Sequence, residues 1–246
     1  MVNVLLWIII ATVLVSFISL IGVITLAIKQ RFLNKILIYL VSLSIGALLG
    51  DAFIHLIPEA SDSISLQSVF MFVLVGFLFF LVVEKFFHWR HCHDDKCKTH
   101  SFAYVNLFGD TVHNFIDGLI IAGSFLVDVS VGIASTLAIA LHEIPQELGD
   151  FGVLIYAGFS RKKAIWWNFL TALSAVLGGF VGFFLFNSVD NLLPALLGFA
   201  AGGFVYIAAS DLIPEVRKEM GVVKSIINFL MILAGLALMF LLLVIG

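Results

Sequence analysis

The sequence predicts an all-α, polytopic membrane protein with eight transmembrane helices, and three observations support this prediction. First, 62% of the 246 residues are hydrophobic and only 12% are charged, whereas soluble domains are about half apolar and about a quarter charged. Second, the apolar residues form long stretches separated by short loops. Third, all 13 Lys and Arg residues lie in or next to alternate loops. Too few polar side chains remain to coat a water-facing surface, so we expect a lipid bilayer to surround most of the chain.

Eight stretches are long enough to cross a bilayer, which requires roughly 20 mostly apolar residues. Their bounds are 4–28, 36–58, 68–87, 103–125, 131–158, 164–186, 194–214 and 225–245. Because the connecting loops are short, we expect a single transmembrane domain over residues 1–246, with a cytoplasmic loop rich in His and Cys at 88–100.

The positions of the basic residues predict the orientation of the chain. Every Lys and Arg follows the first, third, fifth or seventh stretch, except Lys85, which lies at the end of the third. With eight spans the loops after these stretches share one side. The loops around Asp62, Asp128 and Asp190 contain no Lys or Arg. Since basic loops are retained in the cytoplasm, we expect both termini to be non-cytoplasmic.

Two segments of opposite orientation resemble each other. Residues 46–59 read GALLGDAFIHLIPE and residues 202–215 read GGFVYIAASDLIPE. They predict an inverted repeat of helices 1–3 and 6–8 around the central helices 4–5. In transporters, repeats of this kind place the substrate site near the middle of the membrane.

Ionisable and amide side chains concentrate inside three of the predicted spans. The candidate metal ligands are Asp51 and His55 in the second span, His113, Asn114 and Asp117 in the fourth, and His142, Glu143, Gln146 and Glu147 in the fifth. Spacings of three and four residues place such side chains on one helical face. Buried charges in a membrane are costly and are functional by default. We therefore predict that these side chains line a path for a divalent cation. The alternative, that they only form hydrogen bonds which hold the helices together, is less favoured.

The residue types also indicate the chemistry of this path. Imidazole and carboxylate ligands suit Zn²⁺, while Fe²⁺, Mn²⁺ and Co²⁺ are alternatives, as is Cd²⁺. The cation is predicted to be transported cargo, so we expect no resident cofactor, and we expect no nucleic acid partner. Asp110 and Asp150 flank the candidate ligands and are expected to solvate the ends of the path. Pro145 is compatible with either a hinge or a purely structural kink.

Two motifs resemble the ZIP (Zrt-, Irt-like) family of metal transporters. His113-Asn114-Phe115-Ile116-Asp117-Gly118 matches its fourth-helix signature HNxxDG, and the stretch from His142 to Glu147 looks like its fifth-helix signature HExPHE. The resemblance implies alternating-access import of zinc, or sometimes iron or manganese, into the cytoplasm. It carries the role of metal ligand to His113, Asn114, Asp117, His142, Glu143 and position 146. Gln146 departs from the signature, which has His there.

The resemblance also bears on the number of metals and on the membrane. Some bacterial members place a Glu for a second metal in the sixth span, and this sequence has no acidic residue there, so a two-metal site is not expected. We expect the plasma membrane, because the sequence lacks the long extracellular His-rich domain of some relatives. A homodimer is compatible with the sequence, which does not specify the oligomeric state.

Two other functions stay open as alternatives. His142 and Glu143 open like the HExxH motif of zinc metalloproteases, but Gln146 replaces the second His. A membrane metal sensor without transport is the other alternative. The loop 88–100 contains the ligand types His, Cys and Asp, which favour a flexible acceptor for released metal, or else it is a solvated loop whose basic residues set topology.

Overall fold

The computed structural model describes residues 2–27, 29–91, 102–189, 192–218 and 220–245, and every regular element in these residues is helical. The α-helices are α1 Val2–Ile18, α2 Gln30–Gly50, α3 Ile57–Ser63, α4 Leu66–His91, α5 Phe102–Val127, α6 Val129–Tyr156, α7 Arg161–Ala172, α8 Ser174–Val189, α9 Leu193–Tyr206, α10 Ile213–Arg217 and α11 Val222–Ile245. A 3₁₀-helix, Ser19–Ala27, extends α1. Two π-helical turns, Asp51–Leu56 and Ile207–Leu212, join α2 to α3 and α9 to α10.

These elements form eight long helical segments, and each overlaps one of the eight predicted stretches. Within the part of the chain that the structure describes, six of the segments are long and apolar enough to cross a membrane. The other two are α5 and α6, whose composition is less apolar because they carry most of the candidate ligands. The all-α prediction is therefore confirmed for the described residues, and membrane crossing by α5 and α6 stays a prediction.

The structure differs from the predicted spans in two places. The stretch 164–186 is divided into α7 and α8 at Leu173, and the stretch 36–58 contains the π-helical turn Asp51–Leu56. Hydropathy cannot detect either feature, since it does not depend on which carbonyl accepts each backbone hydrogen bond. Most of the predicted loop 88–100 lies outside the described residues, although α4 continues as far as His91.

The helices are arranged around the central pair α5 and α6, which follow each other through Asp128 and pack together. Helix α8 packs along α5, and α2 packs along α6. On the outside, α11 packs against α2 and α4 packs against α9. Large exposed apolar side chains are frequent on α4 and α11, whereas the polar side chains of α5 and α6 are mostly buried.

Asp128 fixes the start of α6. Its carboxylate accepts a 2.8 Å hydrogen bond from the backbone N–H of Ser130 and a 2.5 Å bond from the Ser130 hydroxyl. This is the arrangement of a helix N-cap. The Ser130 hydroxyl and then its N–H lower the pKa of Asp128, so the cap persists until the pH falls below the usual range of an aspartate.

Glycine allows three pairs of helices to approach to backbone contact. A methyl group at any of these positions would overlap with a carbonyl oxygen of the facing helix: Gly46 with Ile232, Gly235 with Leu43, Gly76 with Phe199, Gly202 with Val73, Gly118 with Ala175 and Gly178 with Phe115. Small residues at helix crossings are typical of membrane proteins, in which dispersion rather than the hydrophobic effect holds helices together. The crossing at Gly118 holds α5 against α8 one residue from Asp117.

We expect Gly76→Ala to destabilise the bundle. The added methyl group would force α4 away from α9, and overpacking of this kind costs about 1–3 kcal/mol. The measurement is the apparent melting temperature in detergent, which should fall clearly. Leu78→Ala is the control, since this α4 side chain is 49% exposed. Equal shifts for the two variants would contradict the close crossing.

Candidate metal site

The polar faces of α5 and α6 meet in the middle of the bundle. His113 and Asp117 lie one turn apart on α5, and His142 and Glu143 lie side by side on α6. One ligand atom from each of these side chains lies within 4.8 Å of the other three. We call His113, Asp117, His142 and Glu143 the central cluster.

Three of the separations within the central cluster are close to those expected around a tetrahedral cation. His113 Nε2 lies 3.4 Å from Asp117 Oδ2 and 3.4 Å from Glu143 Oε1. His142 Nε2 lies 3.5 Å from Asp117 Oδ2 and 3.9 Å from Glu143 Oε1. Four atoms bound tetrahedrally to zinc at about 2.0–2.1 Å lie about 3.3–3.4 Å from one another. Two nitrogen and two oxygen atoms therefore surround a position suited to Zn²⁺, and the wider pairs would draw together as the ion binds.

The burial and the missing hydrogen bonds of the central cluster also favour a metal site. His113, Asp117 and Glu143 are each 1% exposed, and the four atoms of the central cluster have no hydrogen-bond partner among the described residues. Buried polar atoms are normally hydrogen-bonded, and buried carboxylates are normally paired or metal-bound. A divalent cation would satisfy all four atoms at once, which hydrogen bonds among the same side chains do not do.

The other candidate ligands of α5 and α6 belong to a second polar group that includes further amide and acidic side chains. Asn114 Nδ2 donates to Asp110 Oδ1 at 2.8 Å, and Asn168 Nδ2 donates to Glu147 Oε2 at 2.9 Å. One turn further, Asn106 Nδ2 donates to Asp150 Oδ1 at 3.0 Å. We call this group, which also contains Gln146, the amide cluster. Glu147 is not among the acidic side chains of the central cluster, and Asn114 and Gln146 stay predicted metal ligands.

The second-span candidates lie on the opposite side of His113. Asp51 Oδ2 is 3.7 Å from His113 Nδ1, and Asp51 Oδ1 is 3.1 Å from His55 Nδ1. His55 Nε2 lies 3.1 Å from the backbone carbonyl oxygen of Met239 in α11. Asp51 and His55 therefore adjoin the central cluster without contributing an atom to it.

A cavity of about 360 Å³ reaches the central cluster from one side of the bundle. We call it the outer cavity. Its walls include His113, Asp117 and His142, and it extends to Glu59 and Asp62, near the turn between α3 and α4. This is the side on which the loops lack Lys and Arg. At the amide cluster, by contrast, the space enclosed by Leu48, Phe204 and Ile207 has no room for a water molecule.

Sequence reasoning missed three contributors to this region. Asn106 precedes Asp110 by four residues, so the helical spacing that linked the other candidates would also have found it. Phe204 packs its ring 4.9 Å from that of His113, and the Met239 carbonyl accepts from His55. No sequence signal identifies these two, because both come from distant helices through tertiary packing.

Comparison with known proteins identifies the family. The family model described as ZIP Zinc transporter matches residues 2–101 and 90–243. The chain belongs to the ZIP zinc transporter family. Together with the six apolar helices, ZIP membership identifies an integral membrane protein, and it favours the transporter prediction over the protease alternative.

Several curated ZIP proteins are similar over most of the chain. Zinc transporter ZIP13 of Pongo abelii is 37% identical, over 81% of this chain and 65% of its own length. Zinc transporter ZIP13 of Homo sapiens is 32% identical, over 81% and 69%. The Zinc transporter ZIP13 homolog of Drosophila melanogaster is 32% identical, over 84% and 77%. The chain therefore spans about two thirds to three quarters of the length of these relatives.

We expect Glu143→Ala and Gln146→Ala to differ sharply in zinc binding. Loss of Glu143 removes a carboxylate from the central cluster, so the affinity should fall by more than the roughly 10–100-fold that is typical of changes around a ligand. Loss of Gln146 should leave most of the affinity, because its side chain lies in the amide cluster. Isothermal titration calorimetry of the purified protein measures both, and a greater loss for Gln146→Ala would contradict the assignment.

Proposed function

We propose that this chain carries Zn²⁺ across a membrane into the cytoplasm by alternating access, with the central cluster holding the ion. The carrying observation is the convergence of two imidazole nitrogens and two carboxylate oxygens, buried and without hydrogen-bond partners among the described residues. A structural zinc site would be closed on all sides. This one opens into the outer cavity, which supports exchange of the ion with one aqueous side.

The direction of transport is inferred from charge. The outer cavity opens on the side without basic loops, and basic loops are retained in the cytoplasm. With eight spans, which include α5 and α6, both termini lie on the non-cytoplasmic side. The ion would therefore enter from outside, or from the lumen of an organelle, and leave toward the loop 88–100. The plasma membrane, the homodimer and the role of this loop as metal acceptor stay predictions.

The asymmetry between the two ends of the path supports alternating access. The central cluster communicates with the outer cavity, while Leu48, Phe204 and Ile207 close the path at the amide cluster. Release on the cytoplasmic side would require these side chains to separate and the outer cavity to close. The amide cluster, with its carboxylates and amide oxygens, lies along the path that opening would expose.

An inverted repeat supplies a mechanism for such a change. Gly46 and Gly202 occupy equivalent positions in the two similar segments, and each packs against a backbone carbonyl, of α11 and α4 respectively. Each segment continues through a π-helical turn into a short helix with Pro in its first turn. We infer that helices 1–3 and 6–8 are related halves. Inverted-repeat transporters expose a central site to one side at a time by moving one bundle of helices against another.

The ligand set favours zinc but does not exclude other metals. Two imidazoles and two carboxylates suit Zn²⁺, while Fe²⁺, Mn²⁺, Co²⁺ and Cd²⁺ remain candidate cargo. Gln146 borders the site where the family signature has His. A neutral amide binds zinc more weakly than imidazole, so we infer that this position relaxes selectivity and eases release of the ion.

Uptake of ⁶⁵Zn²⁺ into proteoliposomes tests the proposed function. The wild-type protein should give saturable uptake, and His113→Ala should abolish it, because removing a buried ligand leaves two carboxylates without a shared cation. Leu78→Ala is the control for reconstitution, since its side chain lies on the exposed face of α4. Zinc binding without flux would point to a sensor, and cleavage of peptides without flux would point to a protease.

Gln146→His tests whether this position tunes selectivity. An imidazole there adds a zinc ligand next to the central cluster, so the variant should prefer Zn²⁺ over Mn²⁺ more strongly than the wild type. Uptake of labelled Zn²⁺ in competition with Mn²⁺, Fe²⁺, Co²⁺ and Cd²⁺ measures the preference. An unchanged order of competition would show that Gln146 does not influence the choice of metal.

A further inference from the structure

We propose that Asp51 is a positioning residue that acts through His113, rather than a ligand of the transported ion. In this role it determines which ring nitrogen of His113 faces the cation. The inference rests on the proposed function of the central cluster as a metal site, and it changes the role that sequence analysis predicted for Asp51.

The two ring nitrogens of His113 face different partners. Nε2 lies 3.4 Å from both Asp117 Oδ2 and Glu143 Oε1, whereas Nδ1 lies 3.7 Å from Asp51 Oδ2. Because the two nitrogens point to opposite sides of the imidazole, a cation bound at Nε2 has Asp51 behind the ring. Neutral imidazole carries one proton, so binding at Nε2 places that proton on Nδ1, directed at Asp51.

The other carboxylate oxygen of Asp51, Oδ1, faces His55. His55 Nε2 lies 3.1 Å from the carbonyl oxygen of Met239, and a carbonyl oxygen can only accept a hydrogen bond. His55 Nε2 therefore donates. His55 Nδ1 lies 3.1 Å from Asp51 Oδ1. Oδ1 of Asp51 thus faces His55, and Oδ2 faces His113.

The resulting chain of contacts runs from the backbone of α11 through His55 and Asp51 to His113. Asp51 Oδ2 is buried and has no hydrogen-bond partner among the described residues. The separation of 3.7 Å exceeds a hydrogen bond by a few tenths of an ångström, and a small rotation of the His113 ring as the ion binds would close it. Metal-binding histidines generally donate their second N–H to a carboxylate or carbonyl, which fixes the ring and raises its basicity.

The π-helical turn Asp51–Leu56 explains how one short segment makes both contacts. Asp51 begins this turn and His55 lies within it. Turns of this kind are often found at functional sites. Here the turn directs Asp51 toward α5 and His55 toward α11, so the second span is linked to the ion through the orientation of His113.

Zinc affinity and zinc coordination together distinguish a positioning residue from a ligand. Asp51→Ala should weaken Zn²⁺ binding by roughly 10–100-fold, while X-ray absorption of the zinc-loaded protein should still show two imidazole and two carboxylate ligands. Asp51→Asn should recover part of the affinity, since its amide oxygen can accept from Nδ1–H. The matched control is Asp62→Asn, which removes the same charge from the wall of the outer cavity and should change the affinity less than twofold.

A measurement on the unaltered protein does not depend on any variant folding. In ¹⁵N NMR of histidine-labelled, zinc-loaded protein, His113 should have its proton on Nδ1 and zinc on Nε2. Zinc on Nδ1, a ligand oxygen lost in Asp51→Ala, or wild-type affinity in that variant would each overturn the inference. If the wild-type protein binds no zinc, the proposed function fails instead, so the two failures are separable.

Discussion

The burial of charged and imidazole groups between apolar helices is the constraint on which the rest of this structure depends. Removing a carboxylate from water costs far more free energy than a single hydrogen bond returns. Asp117 and Glu143 are nonetheless buried side by side with two histidines, and the facing atoms have no hydrogen-bond partner among the described residues. Such an arrangement is stable only if a cation, or protons, neutralise it. The site therefore binds positive charge favourably.

The helix packing places the central cluster where an ion can reach it. Glycine contacts bring α5 against α8 and hold α2 against α11, so these pairs of helices are closely packed. The outer cavity follows the polar face of the second span down to the central cluster, and the space among the polar and apolar side chains of the amide cluster has no room for a water molecule. A transporter must let the ion exchange with one side of the membrane at a time, because access from both sides at once would form an open pore.

The polar residues around the ion have distinct roles in this arrangement. The central cluster supplies two nitrogen and two oxygen atoms that lie within 4.8 Å of one another. Asp51 and His55 lie behind His113, and the amide cluster occupies the next two turns of α5 and α6. Asn114, Asn168 and Asn106 each donate to a carboxylate of the amide cluster. Other buried oxygen atoms of this cluster, Asp110 Oδ2 and Glu147 Oε1, have no hydrogen-bond partner among the described residues.

The sequence by itself determined the helical class, the positions of the long apolar segments and the residue types of the site. Hydropathy and helical periodicity are local properties, so they can be read along the chain, and the signatures around His113 and His142 were sufficient to predict a metal path. Only the tertiary structure decided which candidates converge. It brought His113, Asp117, His142 and Glu143 together, set Asp51 beside Nδ1 of His113, and brought Phe204 and the Met239 carbonyl into contact with the histidines. Residues on one helical face are several ångströms apart along the axis, and which of them share an ion depends on the level at which the neighbouring helix packs.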